Sequence, residues 1–211
     1  METGFGLSTL LFSHLSNNHL VFAKEQFSDY QGNSITSLRD STLFRGESVK
    51  YIVGPTQQTL PAYTFTEKLQ VVLIDGPHGF PFPQLEYYYL YQHLDEGAIL
   101  IIDDIHIPTI GHMVDVLCED EMFEKIDTVD SCMFLRRTSA AVFNPVGDDW
   151  WLQNYNASRY PDNARVKPSS FNGRLNIQLE KLLGKKIASL IRRLAQKILP
   201  QNLLRRLSKS T

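Results

Sequence analysis

Two hydrophobic runs in this chain end in acid, and together they leave few folds open. Gln70-Val-Val-Leu-Ile-Asp75-Gly-Pro-His78 and Gly97-Ala-Ile-Leu-Ile-Ile-Asp103-Asp104-Ile-His106 each climb through β-branched and aliphatic residues and stop at a carboxylate. A histidine follows three or two residues on. Uninterrupted apolar runs bounded by turn signals predict parallel strands buried on both faces. In open α/β sheets ligands gather at the carboxyl ends of such strands. The two runs therefore predict three carboxylates and two imidazoles converging on one sheet edge.

The remaining pattern predicts the elements around that edge. Leu10, Leu11 and Leu15 have helical spacing and follow a turn containing Gly4 and Gly6; His19–Ala23 reads as a strand running on to Glu25. Glycines of this kind permit close backbone approach, and a helix start behind them offers free N–H groups to a ligand. Ser34–Leu38 predicts a short helix, Ser48–Val53 a strand and Thr56–Leu60 a short helix before Pro61. Phe82–Leu94 predicts a helix stopped by Asp95-Glu96-Gly97, its tyrosines acting as packing residues, with a strand over Ala98–Ile102. A helix begins at Pro108, and Phe123–Val129 with Cys132–Arg136 predicts an antiparallel hairpin turned at Asp130-Ser131. Alternating strands and helices demand a parallel sheet with right-handed crossovers. The predicted fold is a Rossmann-like α/β domain, mostly parallel with helices on both faces. It is N-terminally truncated, because no strand delivers the first glycine turn.

Three regions follow: a domain over 1–138, an aromatic irregular segment over 139–172 that packs on it, and a basic amphipathic helix over 173–211. That last region holds ten Lys/Arg against one acid, so the rest of a chain of net charge −2 carries −11. An acidic globule argues against a nucleic-acid partner. The tail sets Leu179, Leu182, Leu183 and Leu190 against a Lys/Arg face. Such a helix lies on an anionic membrane surface or packs on a protein, a second copy of this chain included. Cys118 and Cys132 have no metal-type spacing and predict core thiols in a reduced, cytoplasmic setting. No window of about 18 apolar residues offers a membrane span, and no signal-peptide pattern opens the chain.

Asp75, Asp103 and Asp104 brought together repel unless a cation sits among them. Oxygen ligands select Mg²⁺, Ca²⁺ or Mn²⁺. His78 and His106 are further ligands or a general base. The plainer alternative is that an aspartate only caps the helix that begins at Pro108.

Glu2-Thr-Gly4-Phe-Gly6-Leu-Ser8 resembles the first motif of class I S-adenosylmethionine-dependent methyltransferases, and Glu25 resembles their ribose-binding acid. Ile74-Asp75-Gly-Pro-His78 and Ile102-Asp103-Asp104 resemble the strand ends of a small-molecule branch that includes macrocin-type sugar O-methyltransferases and cephalosporin hydroxylase proteins. The resemblance covers about residues 1–138. It implies S-adenosylmethionine held by Glu2, Gly4, Gly6, Ser8, Glu25 and Asp75, and Mg²⁺ held by Asp75, Asp103 and Asp104. It also implies His78 or His106 as base, and a small-molecule or saccharide hydroxyl as acceptor. Gly54-Pro55-Thr56 stands where the family often has an adenine-side acid. Two other readings compete: a non-catalytic interaction module, and an NAD-dependent oxidoreductase, whose third glycine would fall at Thr9.

Overall fold

The structure, a computed structural model, describes residues 1–24, 40–144 and 150–159. Two compact units divide the chain, Met1–Gly147 and Asp148–Thr211. The first contains, in order, β1 (Glu2–Thr3), α1 (Leu7–Leu15), β2 (His19–Ala23), β3 (Val49–Val53), α2 (Thr56–Ala62) and β4 (Leu69–Ile74). It continues with α3 (Phe82–Leu90), β5 (Leu94–Ile102), α4 (Pro108–Cys118), β6 (Phe123–Val129) and β7 (Cys132–Arg137). One sheet holds all seven strands in the order β3-β2-β1-β4-β5-β7-β6. The pairs among β1 to β5 are parallel, and β7 lies antiparallel to both β5 and β6. This is the mixed, mostly parallel sheet with a terminal hairpin that the pattern predicts.

Side chains alternate along a strand, so β2 feeds a core on each face. Leu20 and Phe22 join the large cluster with Val72, Ile74, Leu100, Ile102, Ile110 and Leu135. Val21 and Ala23 join Phe5 in a smaller cluster flanked by Val49 and Tyr51.

The central strand, expected to be missing, is present and is two residues long. Glu2 pairs with Val21 and Leu73, and Thr3 with Phe22 and Ile74. The Met1 ammonium donates to Val71 O at 2.8 Å, and Leu73 N donates to Met1 O at 3.1 Å, so the pairing extends one residue further. Two residues are too few to show a hydropathy period. A cavity of about 480 Å³ lies at the amino ends of β2 and β4, lined in part by Met1, His19, Leu20, Leu69 and Val71. That is the opposite end of the sheet from the acids.

A second correction concerns β5. The helix before it stops at Leu90, a 3-10 turn covers Tyr91–His93, and the strand starts at Leu94. Asp95-Glu96-Gly97, which reads as a helix stop, lies inside the strand. The register with β4 shifts between Leu69 and Val71, and Gly97 has φ +81°, so the glycine marks an irregularity within the strand.

In the second unit, Trp150–Leu152 form a 3-10 turn and α5 spans Asn154–Arg159, where the sequence predicts irregular chain. The Arg159 guanidinium stacks 3.6 Å from the Tyr155 ring centre. Glu25, the helix predicted over Ser34–Leu38 and the tail over 173–211 lie outside the described residues. Among the described residues no helix is long and apolar enough to cross a membrane.

Candidate active site

The loop from β1 into α1 is fixed from beneath. Glu2 is fully buried, and its carboxylate accepts from the Thr9 hydroxyl and lies 3.5 Å from His19 Nε2. Burial pushes Glu2 up to about 7, an effect partly offset by the hydroxyls of Thr9 and Ser8. His19, equally buried, is pushed down to about 4 by the same loss of solvent. Thr9 also accepts from Gly6 N at 3.2 Å, tying the loop to the first turn of α1. Gly4 has φ +89°, and a Cβ there would stand 2.1 Å from Asp75 O. The glycine is needed because the end of β4 passes directly against it. Gly6 meets nothing within 4 Å, so its face is open.

Asp75 follows the last residue of β4, and Asp103 and Asp104 follow the last residue of β5. Asp103 N donates to Ile74 O at 3.1 Å, prolonging the strand pairing by one step. The two neighbouring aspartates then part. Asp103 Oδ1 accepts from Ser131 Oγ at 2.7 Å, Cys132 Sγ at 3.1 Å and Asp104 N at 2.6 Å. Burial alone would raise its carboxyl, but these bonds to the charged form outweigh it and hold Asp103 below the usual range. Burial and the Asp103 carboxylate together push the Cys132 thiol up to about 11, which keeps it a donor.

Asp104 takes φ +56°, the left-handed region that aspartate tolerates better than most residues. Its carboxylate thereby meets Asp75 and His78. His78 Nε2 lies 2.9 Å from Asp104 Oδ2 and 3.6 Å from Asp75 Oδ1. One ligand atom from each of Asp75, His78 and Asp104 falls within 4.8 Å of the other two. Burial first, then the negative charge of Asp103, lifts Asp75 to about 6. A half-buried carboxylate with two further acids beside it is stabilised in its charged form by a bound cation, so the donor set fits a divalent ion. His106 Nδ1 stands 3.7 Å from Asp104 Oδ1, with its side chain 68% exposed.

Residues 1–105 match a family model described as a methyltransferase domain. Over those residues, just under half of its length, this chain is similar to a methyltransferase domain. Among solved structures it is similar to the O-methyltransferase NovP, at 20% identity over 65% of this chain and 70% of that one, with a TM-score of 0.47. A second likeness is to the MycE methyltransferase of mycinamycin biosynthesis, solved with Mg and S-adenosylhomocysteine, at 11% identity and a TM-score of 0.41. That match covers 60% of this chain and spans about half, 47%, of the MycE chain. A third is to an rRNA methylase from Streptococcus thermophilus, at 17% identity over 65% of this chain and 85% of that one, with a TM-score of 0.46. No curated protein matches the sequence.

At this sheet edge the structure gathers Asp75, His78 and Asp104, with His106 beside them. Asp103 is present at the same edge, but its Oδ1 is engaged by the β6–β7 turn, and His78 completes the close set in its place. Gly4 and Gly6 lie on the loop above β1. Glu2 sits wholly beneath that loop. Hydropathy and motif spacing pass over Glu86, a fully buried acid on α3. Its one sequence signal is an acid among tyrosines on a helix face that is otherwise apolar.

Proposed function

We propose that this chain is an O-methyltransferase that transfers the methyl group of S-adenosylmethionine to a hydroxyl of a small-molecule or saccharide acceptor, assisted by Mg²⁺. The observation that carries the reading is a juxtaposition. The glycine loop expected to hold the cofactor passes directly against Asp75, at the edge of an acid–imidazole set. The likeness of the strand-end motifs to macrocin-type sugar O-methyltransferases supports the choice of acceptor.

S-adenosylmethionine supplies a methyl on sulfonium whose leaving group needs no further activation, so the protein's task is alignment. A cation held by Asp75, His78 and Asp104 would lower the acceptor hydroxyl's pKa. Asp103, kept ionised by Ser131 and Cys132, adds fixed negative charge beside that set without joining it. His106, exposed next to Asp104, is placed to take the acceptor proton. Gly6 leaves room over α1, and Gly4 lets the loop and the end of β4 meet.

The test is methyl transfer from labelled S-adenosylmethionine to vicinal-diol and catechol-type acceptors, with and without chelator. Turnover should fall at least about 100-fold with chelator and in Asp104→Asn, within the range expected when catalytic electrostatics are removed. Unchanged turnover in both would sink the metal-assisted reading. For the tail, we propose peripheral contact with anionic membrane. Co-sedimentation of the full chain with anionic vesicles, lost at high salt, is the expected result.

A further inference from the structure

Glu86 is a buried acid for which methyl transfer has no direct use. It lies on the second turn of α3 at 1% exposure. Glu86 Oε2 accepts from Thr3 Oγ1 at 2.7 Å, and Thr3 Oγ1 in turn accepts from Asp75 N at 3.1 Å. A threonine hydroxyl has one proton to give. Here it goes to Glu86, since the other acceptor in reach, Leu73 O, stands at 3.5 Å. With Glu86 as the acceptor, the relay runs from Asp75 N–H to Thr3 and from Thr3 O–H to Glu86.

Packing around the relay is tight on two further sides. A Cβ on Gly76 would stand 2.1 Å from Glu86 Oε1, so Gly76 must lack a side chain for the carboxyl to lie there. A Cβ on Gly4 would meet Asp75 O at the same distance. The Asp75 N–H is thus held by Thr3, and the Asp75–Gly76 main chain passes so close to Gly4 and to the Glu86 carboxyl that neither Gly4 nor Gly76 has room for a side chain. An isolated acid in apolar surroundings costs several kcal/mol unless it is neutral or bonded, so its presence needs a reason. The relay supplies one.

We propose that Glu86 is the positioning residue of this site: through Thr3 it fixes the main chain of Asp75 and so sets where the Asp75 carboxylate stands relative to His78 and Asp104. The proposal rests on the functional reading above for the meaning of the site. The relay itself stands on geometry. Partners that orient a ligating group are typically worth 10–100-fold in metal affinity, and Glu86 acts in that way on Asp75. At 1% exposure, it acts through Thr3 and not by direct contact with the carboxylate it positions.

The experiment is amide hydrogen exchange on the full chain, paired with Mn²⁺ titration of the same samples. Thr3→Val removes the hydroxyl at nearly constant shape. Glu86→Ala removes the acceptor. Glu86→Gln keeps an acceptor oxygen. The Asp75 amide should exchange at least about tenfold faster, relative to the Leu73 amide, in Thr3→Val and Glu86→Ala, the factor that loss of about 1.4 kcal/mol of protection gives. Glu86→Gln should keep wild-type protection. Mn²⁺ affinity should drop about 10–100-fold in the first two variants and hold in the third. A merely structural role would move the Leu73 and Asp75 amides together. That result, or a Glu86→Gln variant indistinguishable from Glu86→Ala, would overturn the proposal. Failure of wild-type protein to bind Mn²⁺ would strike the metal reading alone, while the exchange pattern would still decide the relay.

Discussion

Asp104 shows how one backbone angle separates two adjacent carboxylates. Its φ of +56° turns its side chain toward His78, while Asp103 continues β5 and faces Ser131. Asparagine tolerates the left-handed region as aspartate does, so Asp104→Asn keeps the fold and removes only charge. Its melting temperature should stay within a few degrees of wild type while Mn²⁺ binding is lost; scanning calorimetry and titration read the two effects separately. Glu86 makes a prediction about pH. Burial raises it from 4.5 to about 7, with the Thr56 and Thr3 hydroxyls offsetting part of the rise. An acid raised in the folded state contributes stability that is full below its unfolded value and is lost as pH climbs through the folded one. Between pH 5 and pH 8 wild type should therefore lose roughly 2–3 kcal/mol relative to Glu86→Gln, because each pH unit between the two values costs about 1.4 kcal/mol. Urea denaturation at the two pH values checks it, and parallel pH profiles would contradict it.

The joint between β1 and α1 decides whether a cofactor loop exists, and its two glycines differ in kind. Gly4 is required by the fold, since its positive φ and the 2.1 Å approach of Asp75 O exclude any side chain. Gly6 has ordinary extended backbone and open space on its face. Gly4→Ala should cost more than about 2 kcal/mol, through strain and displaced backbone. Gly6→Ala should leave stability within about 0.5 kcal/mol and weaken S-adenosylmethionine binding, as measured by thermal melts and calorimetry. Loss of stability in Gly6→Ala would show instead that the fold itself requires this glycine. How readable each element is in the sequence follows its length and regularity. β4, α4 and the β6–β7 hairpin show in hydropathy because each is six residues or longer with a clear period or turn. β1 does not, because two residues held between β2 and β4 depend on tertiary pairing. The start of β5 misleads because Gly97, a stop signal for a helix, serves there as an irregularity in a strand. At the site, the acids could be read from the strand ends. The parting of Asp103 from Asp104 could not, because it depends on one dihedral and on Ser131 and Cys132 arriving from another hairpin. Glu86 was unreadable because a buried acid on a helix has no pattern of its own.

Across the whole sheet, the carboxyl ends of β1, β4 and β5 meet at one place, and the glycine loop, the Glu86 relay and the acid–imidazole set belong to it. A ligand that binds only the folded domain stabilises it by mass action, about 2.7 kcal/mol at 100 times its Kd. S-adenosylmethionine or S-adenosylhomocysteine should therefore raise the melting temperature by several degrees, and Gly4→Ala should abolish the shift. The account turns most directly on calorimetric titration of S-adenosylmethionine into the full chain. It predicts a saturable heat with one site per chain, weakened in Gly6→Ala. No heat at cofactor concentrations up to the millimolar range would contradict it and leave the fold as an interaction module.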